Sequence, residues 1–590
     1  MSNIHYTSER NTQILLSLLK FHGIRKIVAS PGTTNMCVNA SVQNDPYFEV
    51  YSSVDERSAA YIACGLAAES GEPVVLSCTG ATASRNYIPG LTEAFYRQLP
   101  VLALTVSRAL YEVGHHRDQQ VDRSKQLADM VRESVVADIV EDGTDEWRCG
   151  VAINKALIAL RKDGGGPAHI NLVTTYSQDF SVQTLPQVKG IRHIAASCKE
   201  LPDISTFKRV AVLVGVHRPW SPTLQERVDR FCELHNGVVL NYHATGYKGR
   251  YGVNHSIMQL MRGYRSPNAC ADLVVFIGTI PRYGSGMGGG SQMWRVNPDG
   301  IIRDPERTLT CVFAMEEEDF FARYTDGQAP TGKASAFTQA WQKEYAKMQT
   351  LIPDSLPLSN VWIAQQTLHR LPEGCVLHLA GSNTARAWNM FPKNPAIDGF
   401  SNDGVMGIDG QVSALLGESL ANPQRLHFGV VGDLTFFYDM NSIGNRHVGP
   451  NLRLIVDNNG MGAEFRIDGH PSYFLGQEGK TFVAAAGHFG NKSPNLLRHY
   501  AEDLGFEYFA ANTKEEYLAA LDRFVTPEMT DRPMLLEVFT KETDESDAIY
   551  TMRHLAHNAQ GSAQVNPRLR DLLKRHLSPK TIAWLKRHVK

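Results

Sequence analysis

The sequence has 590 residues, of which 43% are hydrophobic and 20% charged, and its 59 basic and 61 acidic side chains leave a formal net charge of -2. A chain of this length is expected to form about three or four domains, and the balanced charge argues against nucleic acid or an acidic membrane as a partner. The nine cysteines are scattered without a CxxC pair, and no apolar run reaches the ~18 residues that span a bilayer. We therefore expect a soluble, unexported, cytoplasmic protein with reduced thiols.

Short apolar runs alternate with helical patterns over residues 10–175. Helices are predicted over 12–23 and 58–71, and strands over 26–30, 48–53, 73–78, 99–106 and 166–173. Strands that alternate with helices favour a parallel sheet with helices on both faces. The first part of the chain is therefore predicted to form a doubly wound α/β domain.

The same alternation occurs twice more along the chain. Strands are predicted at 209–217, 237–243, 271–280 and 293–300 in the second set, and at 375–381, 426–433, 451–460 and 533–540 in the third. Stretches without periodicity, 184–193 and 352–360, separate the sets. The predicted fold class is thus α/β, with three consecutive doubly wound parallel-sheet domains.

These patterns also set the predicted domain boundaries. They give an N-terminal domain at 1–185, a middle domain at 194–345, a third domain at 356–545 and a basic C-terminal helical tail at 546–590. From Arg553 to Lys590 the chain carries nine Lys or Arg residues and one acid, Asp571. Such a tail is predicted to be a solvated or subunit-packing helix, with a binding site for an acidic partner as the alternative.

Two neighbouring strands of the third set are each followed by a polar motif. GDLTFFYDMNS (432–442) places Asp433 after one strand, and VDNNGMGAEF (456–465) places Asn458 after the next, 25 residues further on. The carboxyl ends of parallel strands meet at one edge of a sheet, where open α/β sheets bind their ligands. A carboxylate, an amide oxygen and a loop carbonyl suit a hard cation that bridges a diphosphate. Either dipeptide alone is typical of an ordinary turn, but their spacing favours a metal site.

This pair of motifs resembles the thiamin-diphosphate (ThDP) motif, in which Gly-Asp is followed at a similar distance by Asn-Asn. The resemblance implies that Asp433, Asn458 and the Gly460 carbonyl bind Mg²⁺. It further implies cofactor-binding positions at the same strand ends, namely Gly432, Leu434, Thr435 and Met461. The chain departs from the family at Leu434, where many members have Gly, and at Asp457, which replaces the first Asn.

The N-terminal domain supplies a second set of candidates. FEVYSS runs into VDERSAA, so Glu56 stands at a strand-to-helix junction. In ThDP enzymes a Glu at this place binds the pyrimidine N1′ and drives the cofactor into its imino form, which implies a catalytic and cofactor-binding Glu56. Alone, Glu56 is more typical of a helix N-terminal acid stabilised by the dipole, but the metal motif in the same chain favours the catalytic interpretation. Asn86, in CTGATASRN, is implied near the cofactor, with a helix cap as the alternative.

Four segments narrow the resemblance to the MenD family of the menaquinone pathway, at 29–35, 53–67, 401–417 and 430–444. The likeness extends through the middle domain and leaves the basic tail unmatched. Within SNDGVMGIDG, Ile408 is implied as the apolar wedge that bends the cofactor, or else it is a core residue. The backbone carbonyl of Met406 or Gly407 is implied as the acceptor for the 4′-amino group of the cofactor.

The chain lacks two arginines with which MenD enzymes are expected to bind their anionic substrates. Thr34 stands in SPGTT where the family has Arg, and Asp403 replaces a second Arg. Guanidinium groups are the usual partners of carboxylates, and one charged hydrogen bond is worth ~1.5–3 kcal/mol. We therefore expect a MenD-like enzyme with another substrate: a small 2-oxo acid such as pyruvate or 2-oxoglutarate, and an acceptor that is neutral or presents hydroxyl or amino groups to Asp403.

Residues 108–122 resemble the family loop that closes the N-terminal domain over the reaction centre. Arg108 keeps the position of a carboxylate contact, and Gln119 that of a substrate-facing glutamine. His115 and His116 resemble the His-His pair of pyruvate decarboxylases at a different offset, and exposed loop histidines often have no role. The implied catalytic set is therefore Glu56 with Gln119, Arg108 and His116.

The resemblance implies a ThDP- and Mg²⁺-dependent carboligase, which decarboxylates a 2-oxo acid and transfers the enamine to a carbonyl or enone acceptor. The alternatives are a non-ligating 2-oxo-acid decarboxylase, the MenD synthase itself and a catalytically silent ThDP-binding scaffold. A nicotinamide oxidoreductase is disfavoured because no GxGxxG follows the first strand of any set. Family members form their active sites across a subunit interface, which implies a homodimer or homotetramer. FAD in the middle domain is not expected, and the sequence does not identify donor, acceptor or stereochemistry.

Overall fold

The structure is a computed structural model that describes residues 5–288, 290–329, 334–488 and 492–556. The predicted basic tail lies outside the described residues from 557 onward. Three parallel sheets, of six, seven and six strands, confirm the predicted α/β fold class with three parallel-sheet domains. The chain divides into two compact units: unit 1 is defined by Met1–Pro202 and Gln292–Phe320, and unit 2 by Asp203–Ser291 and Phe321–Lys590. The boundaries of the three domains stay a prediction.

The strands within the described residues are β1 (Lys26–Ala29), β2 (Glu49–Ser52), β3 (Val74–Cys78), β4 (Val101–Ser107), β5 (Glu133–Ala137), β6 (Ala168–Val173), β7 (Arg192–Ala195), β8 (Val210–Val214), β9 (Gly237–Asn241), β10 (Gly252–Asn254), β11 (Leu273–Ile277), β12 (Gln292–Val296), β13 (Leu309–Ala314), β14 (Val376–Leu379), β15 (Asp398–Phe400), β16 (His427–Gly432), β17 (Leu452–Asn458), β18 (Glu507–Ala511) and β19 (Met534–Phe539).

The α-helices within the same residues are α1 (Arg10–Phe21), α2 (Met36–Val42), α3 (Glu56–Ser70), α4 (Thr82–Asn86), α5 (Ile88–Tyr96), α6 (Gly143–Ala159), α7 (Pro222–Leu234), α8 (Ser256–Leu260), α9 (Glu317–Thr325), α10 (Ala336–Gln349), α11 (Asn360–Thr367), α12 (Asn383–Trp388), α13 (Gln411–Ala421), α14 (Asp433–Tyr438), α15 (Leu496–Asp503), α16 (Lys514–Phe524) and α17 (Glu542–Arg553). None of these helices is long and apolar enough to cross a membrane.

Unit 1 is built on the first sheet, whose strands lie in the order β2-β1-β3-β4-β6-β5. Strands β3, β4 and β6 are buried along their whole length, as expected for parallel strands that are covered on both faces. One core contains Leu15 and Leu18 of α1 with Ile153 of α6, and another contains Ala60 of α3 with Leu91 of α5. Strands β12, β13 and β7, which also belong to unit 1, pair in that order.

Unit 2 contains strands β10, β9, β8 and β11, paired in this order, and the third sheet, in the order β15-β14-β16-β17-β19-β18. The three central strands of the third sheet are almost entirely buried. Their register pairs Gly432 with Asp457 and Asn458 with Phe539. The carboxyl ends of β16 and β17, which carry the two predicted motifs, therefore lie side by side.

The strands that the sequence patterns did not predict lie mostly at sheet edges. Strands β5, β7, β10, β15 and β18 each pair with one neighbour, and none has more than one buried residue. An edge strand buries less apolar surface than a central one, so its hydrophobic signal is weaker. Strand β13 is the exception, because it is largely buried and was still not predicted.

Candidate active site

The carboxyl ends of β16 and β17 surround a cavity of about 450 Å³ in unit 2. Strand β16 ends at Gly432, Asp433 begins α14, and β17 ends at Asn458. The cavity wall includes most of the predicted cofactor positions, namely Gly432, Asp433, Leu434, Thr435, Met461, Met406 and Ile408. Its volume falls within the roughly 300–1,000 Å³ of small-molecule sites.

Asp433 is a buried carboxylate of this cavity, with 1% of its surface exposed. Its Oδ2 accepts a hydrogen bond from the Gly460 backbone N–H at 2.9 Å and another from His488 Nε2 at 2.8 Å. Gly460 has a φ of +76°, which glycine adopts without steric strain and which lets the loop turn back towards Asp433. The two predicted motifs are therefore joined by a direct contact.

Asn458 is oriented by a buried carboxylate that the sequence patterns did not reveal. Its Nδ2 donates to Glu537 Oε1 at 2.6 Å, and the Tyr508 hydroxyl donates to Glu537 Oε2 at 2.7 Å. Burial raises the pKa of Glu537, while these two donors oppose the rise. Because Glu537 binds the amide nitrogen, the Asn458 oxygen is the atom left to act as a ligand.

The residues at these strand ends fit a divalent cation and a diphosphate. Asp433 offers a carboxylate, Asn458 an amide oxygen and the loop at Gly460 its backbone, which is the mixed oxygen set that Mg²⁺ prefers. No described atom outside the adjoining residues lies within 4 Å of the position that a Cβ would take at Gly432. A phosphate can therefore approach the backbone closely at the end of β16.

A pair of buried acids lines the same cavity beside the metal position. Asp457 accepts from the Thr540 hydroxyl at 2.6 Å and from Asn360 Nδ2 at 3.0 Å, and Glu545 accepts from the Asn360 backbone N–H at 2.9 Å. Burial raises the pKa of both acids; the charge of Asp457 further raises the pKa of Glu545, and the charge of Asp433 that of Asp457, so the pair favours its protonated form. Asp457 was visible as a departure from the motif, but nothing in the sequence signalled Glu545.

The segment around Ile408 presents its backbone to the cavity. The Gly407 carbonyl is already bound by Gln411 Nε2 at 2.5 Å. The Met406 carbonyl oxygen lies 3.6 Å from the position that a Cβ would take at Gly381, a cavity residue. Met406 has a φ of +55°, a conformation that is costly for a side-chain-bearing residue and is found most often at functional sites. The Met406 carbonyl is therefore better placed than the Gly407 carbonyl to accept a hydrogen bond from a ligand.

In unit 1, Glu56 lies at the carboxyl end of edge strand β2, as the first residue of α3. Asn86, at the end of α4, donates its Nδ2 to Glu56 Oε2 at 3.2 Å. The structure therefore brings two of the sequence-predicted residues into direct contact. Glu56 is only partly buried, so its second carboxylate oxygen can reach a ligand.

The predicted closing loop follows β4 in the same unit. Arg108 donates to the Asp118 side chain at 3.2 Å and lies 3.5 Å from Glu112, and the Asp118 hydrogen bond raises its pKa. Gln119 and His116 are exposed and have positive φ values of 58° and 52°. Gln119 directly follows Asp118, the partner of Arg108, in the chain, whereas no contact among the described residues indicates a role for His116.

Thr34, which stands where MenD enzymes have an arginine, is satisfied inside unit 1. Its hydroxyl lies 2.7 Å from both the Thr79 hydroxyl and the Val106 carbonyl. Only 5% of Thr34 is exposed. The residue therefore offers neither charge nor a free donor to a substrate.

Asp403, the second departure, is likewise engaged within unit 2. Arg282 and the Ser401 hydroxyl bind its Oδ1, and the Tyr242 hydroxyl binds its Oδ2 at 3.0 Å. Only 1% of Asp403 is exposed. The prediction that Asp403 contacts an acceptor is therefore wrong, because both oxygens belong to a buried ion-pair network that would be costly to break.

Arg123 is a buried cation that the sequence patterns did not reveal. It is 7% exposed, and its Nε and Nη2 have no hydrogen-bond partner among the described residues. Burial lowers its pKa. A Cβ added at Gly80 would lie 2.8 Å from Arg123 Nη2 and 3.4 Å from the Gln119 carbonyl oxygen, so both atoms lie close to Gly80. The Arg123 guanidinium is therefore close to Gly80, the residue that follows Thr79, and to the backbone of the predicted closing loop at Gln119.

Comparison of the sequence with those of known proteins shows the family to which the chain belongs. The family described as "Thiamine pyrophosphate enzyme, N-terminal TPP binding domain" matches residues 10–127. The 2-succinyl-5-enolpyruvyl-6-hydroxy-3-cyclohexene-1-carboxylate synthase of Phocaeicola vulgatus is 30% identical over 562 residues, which cover 91% of this chain and 97% of that protein. Synthases of the same name from Bacteroides fragilis and Flavobacterium johnsoniae are 27% and 26% identical, over 94% and 91% of this chain and 100% and 97% of theirs. The chain therefore belongs to the thiamin-diphosphate enzymes, within the family of these synthases, the MenD family.

Proposed function

We propose that the chain is a MenD-like carboligase that uses ThDP and Mg²⁺ to decarboxylate a 2-oxo acid and to transfer the remaining carbon unit to a carbonyl or enone acceptor. The observation that carries the proposal is the contact between Asp433 and Gly460 at the cavity between β16 and β17. It brings the two motifs to which we assign the metal and the diphosphate together in one place. Family membership supports the same type of reaction.

In this proposal Asp433, the Asn458 oxygen and the Gly460 carbonyl hold Mg²⁺, and the backbone around Gly432 receives the diphosphate. When bound, ThDP supplies the electron sink for the loss of CO₂ from a 2-oxo acid. Glu537 fixes the Asn458 amide so that its oxygen, and not its nitrogen, faces the metal position. These residues bind and orient the cofactor. Proton transfer is assigned to Glu56 of unit 1.

Glu56 is proposed to exchange a proton with the pyrimidine ring. Asn86 occupies Oε2, which restricts the carboxylate to one orientation and leaves Oε1 for the ring nitrogen. We assign the Met406 carbonyl as the acceptor for the 4′-amino group, because Gln411 already binds the Gly407 carbonyl. Ile408, from the cavity wall, would then pack against the cofactor between its two rings.

The substrate is proposed to carry less negative charge than those of MenD enzymes. Thr34 is neutral and satisfied, and Asp403 is neutralised by Arg282. Arg108 keeps one guanidinium group for a carboxylate, although it shares that group with Asp118 and Glu112. We therefore favour pyruvate, or else 2-oxoglutarate, as the donor, with a neutral acceptor. Gln119, as a substrate-facing residue, and His116 remain proposed members of the catalytic set.

A homodimer or homotetramer is proposed as the active form, with sites at the subunit interface. In unit 1 large apolar side chains are exposed two residues before Glu56, at Val54 (77%), and in the loop after β4, at Tyr111 (81%). Unit 2 exposes Phe474 and Phe482 in the segment that follows β17. Exposed groups of this size favour a partner surface, and obligate interfaces usually bury at least ~2,000 Å². Mixing inactive Glu56→Gln and Asp433→Ala chains should restore some activity through hybrid sites, and full activity from a strict monomer would refute this part.

We further propose that the enzyme acts on small molecules in the cytoplasm. The support is that all nine cysteines are free thiols, seven of them buried. Unpaired cysteines in this number suit a reducing compartment.

The function is tested by incubating the protein with ThDP, Mg²⁺ and a panel of 2-oxo acids, with and without aldehyde or enone acceptors. CO₂ release and carbon–carbon products are followed by mass. The proposal expects release from pyruvate or 2-oxoglutarate that accelerates with a suitable acceptor, and no turnover of isochorismate. Release that is fast and indifferent to every acceptor would establish a simple decarboxylase, and formation of the MenD product at an ordinary enzymatic rate would refute the argument from Thr34 and Asp403.

A further inference from the structure

A second cavity of about 190 Å³ lies in unit 2 at the carboxyl end of β9, and it shares no wall residue with the cofactor cavity. We call it the lysine cavity and define it by Asn241, His243, Lys248, Tyr345 and Lys393. Three separate parts of the chain form it: the loop after β9, helix α10 and the segment 392–395. Its volume lies below the roughly 300–1,000 Å³ of drug-sized ligand sites, so it suits a small ion or molecule.

The charge around this cavity is positive. Lys393 donates to the Ile397 carbonyl, and no carboxylate among the described residues lies within ion-pair distance of its ammonium group. Burial, together with the nearby charge of Lys248, lowers the pKa of Lys393 to about 8. Lys248 pairs with Asp398 at 2.6 Å, but Asp398 also binds Arg425 at 2.8 Å. Lys248 and Arg425 therefore share one carboxylate, while Lys393 lies near the charge of Lys248 without an ion pair of its own in the described part of the chain, and a bound anion would relieve the repulsion.

Three residues of the wall each carry a buried polar atom that lacks a hydrogen bond within the described ranges. The Tyr345 hydroxyl, Asn241 Oδ1 and His243 Nδ1 are all buried without a partner among the described residues. His243 uses Nε2 to bind the Phe391 carbonyl at 3.0 Å, and burial lowers its pKa to about 3, so its Nδ1 carries no proton and can only accept. Asn241 Oδ1 is likewise an acceptor.

Unpaired buried polar atoms are costly, and their presence beside a cavity indicates a ligand or ordered water that completes them. A simple anion such as sulfate would satisfy the lysines and the Tyr345 hydroxyl, but it has no hydrogen to donate to Asn241 Oδ1 or His243 Nδ1. An oxyanion that keeps an O–H group at neutral pH satisfies both kinds of wall atom. Inorganic phosphate is the simplest ion of that kind.

We propose that the lysine cavity is a binding site for a small oxyanion that carries its own O–H group, with the chemistry of inorganic phosphate. Lys393 and the Tyr345 hydroxyl bind its unprotonated oxygens, and Asn241 and His243 each accept from one of the two O–H groups of its dihydrogen form. The Asp229 carboxylate, beyond Tyr247, is bound by the Tyr247 hydroxyl and is not part of the wall, so it does not oppose the anion there.

The test is a calorimetric titration of phosphate, and separately of sulfate, into the holoenzyme saturated with ThDP and Mg²⁺. Saturation keeps the diphosphate site from taking up phosphate. The variants are Lys393→Met and Tyr345→Phe, with Lys347→Met as the matched control, because Lys347 is an exposed lysine on α10, the helix that carries Tyr345. Tyr345→Phe removes only a hydroxyl without a partner, so it should fold at least as well as the wild type.

One phosphate should bind per chain, with sulfate at least about tenfold weaker because the two acceptors then stay unpaired. Lys393→Met should weaken phosphate binding at least about tenfold and Tyr345→Phe about three- to tenfold, while Lys347→Met leaves it unchanged. The proposal is overturned by the absence of saturable phosphate binding to the wild type at millimolar concentrations, by equal affinity for sulfate, or by unchanged phosphate affinity in folded Tyr345→Phe and Lys393→Met proteins.

Discussion

Replacing Glu537 by Leu should weaken the binding of Mg²⁺ in the presence of ThDP by ~10–100-fold, although Glu537 is not itself a proposed ligand. Glu537 is 1% exposed and accepts one hydrogen bond from Asn458 Nδ2 at 2.6 Å and one from the Tyr508 hydroxyl at 2.7 Å. The Asn458 amide is therefore held with its nitrogen towards Glu537. Leucine fills the space but releases that amide, which can then turn its nitrogen towards the cation.

The magnitude follows from the number of contacts that each variant keeps. Glu537→Gln can still accept from Asn458 through Oε1, while its Nε2 donates to Tyr508, whose hydroxyl can turn to accept. We therefore expect at most a few-fold loss for Glu537→Gln. Glu537→Leu leaves the buried Asn458 donor and the half-buried Tyr508 donor unpaired; the buried one costs about 1–3 kcal/mol, and part of this cost appears as weaker metal binding. Tyr508→Phe keeps the Asn458 contact and should resemble Glu537→Gln.

The assay is a titration of Mg²⁺ into each variant at saturating ThDP, followed by calorimetry. Glu515→Leu serves as the control, because Glu515 is an exposed glutamate on α16 in the same unit. Circular dichroism and an unfolding transition verify the fold of each variant. The reasoning is refuted if folded Glu537→Leu binds Mg²⁺ as tightly as the wild type, or if Glu537→Gln loses as much affinity as Glu537→Leu.

Three further predictions concern unit 1. Glu56→Gln should lower turnover by ~10²–10⁴ and leave ThDP affinity nearly unchanged, with the exposed Glu69→Gln on α3 as the control; wild-type turnover would remove Glu56 from the mechanism. Arg123→Met should raise the free energy of unfolding in urea by ~1–3 kcal/mol, because it removes a buried charge with unpaired donors, and a decrease of that size would show that Arg123 supports the fold. Burial lowers the pKa of His169 to about 3, so below about pH 6.5 the unfolded chain takes up a proton that the folded chain does not. The free energy of unfolding of the wild type, relative to that of His169→Gln, should therefore fall by up to about 1.4 kcal/mol for each pH unit from 6.5 towards 3. A difference that stays constant over this range would contradict the prediction.

The predictable part of the site is the part encoded by short motifs at strand ends. Asp433 and Asn458 follow central strands whose apolar runs are unmistakable, and parallel strands place such residues at one edge. The same reasoning located Glu56, because β2 runs directly into α3. These residues needed only local sequence and the topology of a parallel sheet.

The rest depends on contacts between residues far apart in the chain. Glu537 is 79 residues from Asn458, and Arg282 is 121 residues from Asp403. Sequence patterns showed the loss of an arginine at position 403, but they could not show that another arginine already occupies the new carboxylate. The prediction for Asp403 failed for that reason, since whether a charge is paired depends on tertiary structure and not on the motif that contains it.

The central claim is that the cavity between β16 and β17 binds ThDP through a divalent cation held by Asp433. A calorimetric titration of ThDP into the wild type, in Mg²⁺ and in excess EDTA, tests it most directly, with Asp433→Ala measured in Mg²⁺ alongside. The account predicts tight saturable binding by the wild type in Mg²⁺, and a loss of about 100-fold or more both in EDTA and in Asp433→Ala, because the diphosphate would then face the protein without its bridging cation. Equal ThDP affinity under all three conditions would contradict the claim.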